Sequence, residues 1–150
     1  MVGDEFIWNV RAFVYAWFAE TARAPAIHDI AKRFGIAPEQ AGQALTALHE
    51  KHALFLEPGT TSIRMANPFS AIPTPFTVHV RERSYWANCA WDCFGIVVAL
   101  HAPSASIESI CAASGAQIHL SVTNGQVDSA GEVIHFLVPF RHWYDDLVFT

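Results

Sequence analysis

Cys89, Asp92 and Cys93 place two thiols and a carboxyl within five residues, in the run Asn88-Cys89-Ala90-Trp91-Asp92-Cys93. The apolar run Phe94-Gly95-Ile96-Val97-Val98-Ala99-Leu100 follows at once. If the stretch is helical, residues three and four apart share a face, so the three side chains are expected to converge. Thiolates select soft metals, and a carboxyl in an apolar setting keeps its proton long enough to act as a general acid. Together they suit the cleavage of a bond between carbon and a thiophilic metal. The competing reading is structural, since a free Cys commonly packs as a small hydrophobe and an Asp can cap the helix that follows it.

The elements that must position this cluster are legible on either side of it. From Asp4 to Thr21 the apolar residues Phe6, Ile7, Val10, Phe13, Val14, Trp17 and Phe18 form the stripe of an amphipathic helix. A short helix is expected over 26–34, with Pro25 near its start and Gly35 at its end. Ala37-Pro38-Glu39-Gln40 opens a third, running to about His52 with Leu45 and Leu48 inward. Residues 53–56 and 62–65, around the turn Pro58-Gly59-Thr60, read as a hairpin.

Three helices and a hairpin make the winged helix-turn-helix pattern, which points to a transcriptional regulator. The third helix offers Glu39, Gln40, Gln43, Thr46, His49, Glu50 and Lys51, with one permanent cation, where a DNA reader needs several. Nucleic acid is therefore not the expected partner. Residues 67–76 carry Pro68, Pro73 and Pro75 and should be an extended connector rather than a helix or central strand. The expected organisation is a lobe over 1–66, this connector, and a second lobe over 77–150. In that second lobe, 77–80, 117–122 and 133–138 read as strands of a small antiparallel sheet, with a turn at Asn124-Gly125. The fold class is α+β.

Hydrophobic residues make up 52% of the 150 and charged residues 15%, against about 25% charged in an ordinary soluble domain. Apolar surface is thus expected to be covered by something else, either a partner chain, as in a homodimer, or a further segment. The net charge of −5 and pI of 5.8 give no footprint for a phosphate backbone. An acidic N-terminus and the lack of a long apolar run predict a cytoplasmic protein without a membrane span, whose three cysteines stay as thiols.

Most of the chain resembles the organomercurial (alkylmercury) lyase family. The resemblance rests on the helical N-terminal lobe, Asn67-Pro68-Phe69-Ser70, Asn88-Cys89-Ala90-Trp91-Asp92, Cys111-Ala112-Ala113-Ser114-Gly115-Ala116 and Phe136-Leu137-Val138-Pro139. Its most specific part is the Cys-Ala-x-Asp tetrad, whose cysteine binds mercury and whose aspartate delivers the proton to carbon in that family. The resemblance implies these roles for Cys89 and Asp92, with a small organometal as substrate, no organic cofactor, and an external thiol to carry the metal away. The family also uses a second cysteine shortly after a Phe in its C-terminal part. The matching region, Trp143 to Thr150, reaches no such Cys, and the apolar Leu147-Val148-Phe149 reads as a strand that should continue, so a C-terminally shortened or divergent member is expected.

Cys93, one helical turn from Cys89, is the local candidate for a second metal thiol, although mercury's preference for linear ligation strains against a shared helix. Cys111 reads as structural. Tyr85, Trp86 and Trp91 are candidates for an apolar substrate pocket, with core packing as the alternative. His101, His119, His135 and His142 show no ligand spacing, leaving only a site of Cys89, Cys93 and a distant His for copper or zinc. A different class of function is a lyase-fold protein that binds a soft metal without cleaving it free, or that acts on another small substrate.

Overall fold

The computed structural model describes residues 3–146. Helix α1 spans Asp4–Thr21 and buries Ile7, Val10, Val14 and Phe18, the inner edge of the stripe in its sequence. Helix α2 (Ile27–Phe34) starts where the Asp29 carboxylate accepts from the Ala26 N–H at 2.8 Å, and stops at Gly35 with φ of 64°. Only a residue that tolerates the left-handed region sits there without strain. Helix α3 (Pro38–Glu50) has Pro at its first turn, where a missing N–H costs nothing, and buries Ala41, Ala44, Leu45 and Leu48. It ends slightly short of the expected His52, which instead takes φ of 55°.

The strands are β1 (Phe55–Leu56), β2 (Ile63–Ala66), β3 (Phe69–Ser70), β4 (Thr77–Val80), β5 (Arg83–Ala87), β6 (Ser104–Ile110), β7 (Gln117–Thr123) and β8 (Gln126–Asp128), with helix α4 (Ala90–Ala99) between β5 and β6. They form one antiparallel sheet in the order β1-β2-β3-β5-β4-β6-β7-β8. The architecture is α+β, as its sequence predicts.

Three features differ from the sequence reading. Within the proline-rich 67–76 segment, β3 is an inner strand that joins the hairpin to β5 through Met65↔Ser70 and Phe69↔Ala87. The prolines flank this two-residue strand rather than occupy it, so its N–H groups remain free for the ladder. Strand β6, unexpected from its Ser- and Glu-containing sequence, is held by pairing with β4 on one side and β7 on the other. Conversely, residues 133–138 form no strand despite their apolar pattern, and Val133 and Leu137 are exposed. The outer position goes to β8, which returns from β7 through Asn124 and Gly125, both at positive φ, the conformation a two-residue hairpin requires. The expected strand at 147–149 lies outside the described residues.

A continuous core joins helices to sheet. Phe18 stacks on Phe69 at 5.2 Å between centroids, and the Tyr85 hydroxyl donates to the Ala19 carbonyl at 2.7 Å, tying α1 to β3 and β5. Helix α4 packs on β4, β5 and β6 with Cys93, Ile96 and Val97 buried. None of the described helices is long and apolar enough to cross a membrane.

Candidate active site

The chemistry-bearing residues gather where β5 ends and α4 begins. Cys89 is the N-cap of α4, with φ of −152° and ψ of 177°, so its backbone is extended while the helix proper starts at Ala90. The expected convergence of three side chains on one face is therefore met at the cavity by Cys89 and Asp92 alone. Helical face arithmetic applies from Ala90 onward but not to the side chain of a residue outside the helix. Cys89, Asp92 and Trp91 line a cavity of about 150 Å³. Cys93 does not line it. Its Sγ lies 3.7 Å from the Cys89 carbonyl oxygen, to which it donates, and the side chain is 1% exposed among Ile96 and its core neighbours. Burial, with the nearby Cys89 and Asp92 charges, pushes the Cys93 thiol up to about 12.

The opposite wall of the cavity comes from Arg64 and Met65 of β2, from Asn67, and from Ser70 of β3. Phe136 and Trp143 close another side. Phe136 stacks on Trp143 at 5.3 Å and meets Trp91 edge-on at 6.3 Å. Of the three expected pocket aromatics, only Trp91 is therefore at the cavity. Tyr85 is core, its hydroxyl spent on α1, and Trp86 is half-buried on β5 away from the lining. A volume near 150 Å³ is the size at which an apolar protein cavity accepts a benzene ring.

The two lining groups have shifted acidities. Burial raises the Asp92 carboxyl above the usual carboxylate range, and a hydrogen bond from Asn88 offsets part of that. Burial also raises the Cys89 thiol, and the Asp92 charge adds to it. No cap hydrogen bond forms from the Cys89 side chain, but the backbone N–H groups of Asp92 and Trp91 lie near its sulfur and pull the other way. Cys89 therefore favours the thiol when empty and becomes a thiolate when a soft cation displaces the proton.

The sequence gives little sign of Asn88, Asn67 and Tyr15 as site residues. Asn88 Nδ2 lies 3.0 Å from Asp92 Oδ2 and 3.2 Å from each of Asn67 Oδ1, the Pro68 carbonyl and the Phe69 carbonyl. Its Oδ1 is buried without a partner. Tyr15 of α1 donates to the Asn67 carbonyl at 2.8 Å, beneath the Arg11 guanidinium 4.4 Å from its ring. The available clue is Gly95. A Cβ there would come within 2.9 Å of Pro68 Cβ, so α4 lies against the 67–69 turn only because residue 95 has no side chain.

The remaining expectations resolve simply. His119 faces Glu108 at 4.0 Å and His142 pairs with Asp145 at 2.9 Å. Among the described residues no three or more His, Cys, Asp and Glu side chains are grouped so as to hold a metal ion. Cys111 begins the turn after β6, where the Ser114 hydroxyl and the Ser114 and Ala113 backbone make its thiol more acidic than usual.

Among curated proteins none matches the chain by sequence. The structure superposes on the mercury-bound form of MerB2 with a TM-score of 0.67 and 23% identity, covering 85% of this chain and 60% of that one. The chain thus spans less than two thirds of that relative, and the likeness establishes a shared fold. The sequence model described as alkylmercury lyase matches residues 69–149, more than half of the 150 and inclusive of the Cys89–Asp92 tetrad. The chain belongs to the alkylmercury lyase family.

Proposed function

We propose that this protein cleaves carbon–mercury bonds, with Cys89 as the metal-binding thiol and Asp92 as the proton donor. The observation that carries this reading is that both side chains line one small, aromatic-walled cavity, with the carboxyl raised by burial. An organomercury cation R-Hg⁺ displaces the Cys89 proton and forms a sulfur–mercury bond. The neutral Asp92 carboxyl then gives its proton to the carbon, the carbon–mercury bonding pair becomes the new C–H bond, and Hg²⁺ stays on sulfur. Because the acid sits in place, the leaving carbon need not wait for water to supply the proton.

Cys89 is the one thiol lining this cavity among the described residues. Release of Hg²⁺ is therefore assigned to an external thiol. Trp91, Phe136 and Trp143 would receive the organic group. The test is benzene release from phenylmercury in the presence of excess thiol. Turnover by the parent and its loss in Cys89→Ser and Asp92→Asn are expected; mercury bound by the parent without benzene release would contradict the assignment.

A further inference from the structure

We propose that Asn88 is the positioning residue for the proton-donating carboxyl, fixing Asp92 so that Oδ2 is tied to the protein and Oδ1 carries the proton to the substrate carbon. This rests on the lyase reading above. The Asp92 carboxyl has two oxygens and, among the described residues, one side-chain hydrogen bond, from Asn88 Nδ2 to Oδ2 at 3.0 Å. That leaves Oδ1 for the cavity.

The orientation of the Asn88 amide is set by its other neighbours. The Pro68 and Phe69 carbonyl oxygens, each 3.2 Å from Nδ2, can only accept. Turning the amide over would set Oδ1 against both. The amide thus keeps its N–H groups on this side although its own Oδ1 is left buried and unpartnered. One N–H serves Asp92 and the other serves the 67–69 turn, so a single side chain joins the first turn of α4 to the opposite cavity wall. Asn67 in that wall is itself held from α1 by the Tyr15 hydroxyl at 2.8 Å.

This arrangement acts in the reaction and not only in packing. As the Oδ1–H bond breaks and the C–H bond forms, the O–H electron pair remains on the carboxylate. A hydrogen bond to an ionised acceptor is stronger than one to a neutral acceptor, so the Asn88 N–H stabilises the charge that appears as the proton leaves. The Asn88 amide is spent on Asp92 and the 67–69 turn rather than on the Cys89 sulfur, so its loss should slow the protonation step without weakening capture of the substrate.

The test separates those steps. Capture is read as phenylmercury bound to Cys89 by intact-protein mass spectrometry, and protonation as benzene release in a single turnover, for the parent, Asn88→Leu, Asn88→Asp and Cys111→Ser. Asn88→Leu removes the donor; Asn88→Asp keeps the shape and puts an acceptor where the donor was, which guards against a folding failure in the first variant. Both should form the adduct at the parent's rate and release benzene about 10–100-fold more slowly, the range typical of lost orienting hydrogen bonds, with kcat lowered and KM unchanged. Cys111→Ser, which replaces a thiol that does not line the cavity, should release at the parent's rate. Parental benzene release in both Asn88 variants, or loss of capture in step with release, would overturn the positioning role while leaving the lyase reading intact. A parent that captures phenylmercury and releases no benzene would overturn both.

Discussion

The cap of α4 and the turn after β6 each hold a thiol near backbone N–H groups, yet their thiols respond in opposite directions. At Cys111 the Ser114 hydroxyl and local backbone outweigh a slight effect of burial, and the thiol is more acidic than usual. At Cys89 the N–H groups of Asp92 and Trp91 act in the same sense but burial outweighs them, and the thiol is less acidic than usual. Acidity alone would select Cys111 as the reactive thiol. The cavity favours Cys89 in the proposed reaction, because a bond-cleaving site needs a metal ligand, a proton donor and a place for the organic group within one enclosure, and among the described residues the α4 cap alone sets a thiol beside a carboxyl in such a cavity. Cys93 completes the comparison from inside the same helix, a thiol walled into the core and pushed up to about 12.

Asp92→Asn should lower benzene release by about 10²–10⁴-fold, the usual worth of a positioned general acid, while mercury still binds Cys89. The same variant should be more stable than the parent near neutral pH. Asp92 has its pKa raised on folding, so the native state holds a proton the unfolded chain has already released, and stability falls as pH rises from the ordinary value of 3.8 through the raised one. Above that window the cost of a buried carboxylate persists; below 3.8 it is gone. Thermal melts of parent and variant should therefore diverge at pH 7 and converge in acid.

Gly95→Ala sharpens the point that the enclosure, not the thiol, makes the site. The added methyl meets the rigid Pro68 ring, so α4 and the 67–69 turn must part. A loss of about 1–3 kcal/mol in denaturant unfolding is expected, with slower turnover although no reacting group has changed. Cys93→Ala should cost about 1 kcal/mol for the small void and leave turnover in place. Mercury stoichiometry unchanged by that substitution would separate Cys93 from the metal site. The smallest effect belongs to Cys111→Ser, which should leave turnover and stability at parental values while abolishing the fastest alkylation by iodoacetamide near neutral pH.

How much of this was legible beforehand depended on whether the information was local. The α1 stripe, Gly35 at the end of α2, Pro38 at the start of α3 and the Asn124-Gly125 turn are short-range signals, and each appears in the structure where the sequence puts it. The Cys89–Asp92 pair was likewise visible as spacing. What was not visible depended on partners distant in the chain. Residues 104–110 become a strand because β4 and β7 flank them, and 133–138, with the better apolar pattern, find no ladder partner among the described residues. Asn88 reads as an ordinary polar residue before a cysteine until the sheet brings Pro68 and Phe69, about twenty positions away, onto its amide. Cys93, expected from its spacing as a second metal thiol, lies buried and off the cavity lining, because Cys89 precedes the helix that carries Cys93 into the core.

The most direct test of the account is a single turnover of phenylmercury in D₂O, reading both the isotope content of the benzene and the location of mercury in the digested protein. Benzene carrying one deuterium is expected, formed in step with Hg²⁺ on the peptide that contains Cys89. Phenylmercury remaining whole on Cys89, or Hg²⁺ appearing on Cys111 with Cys89 unmodified, would contradict it.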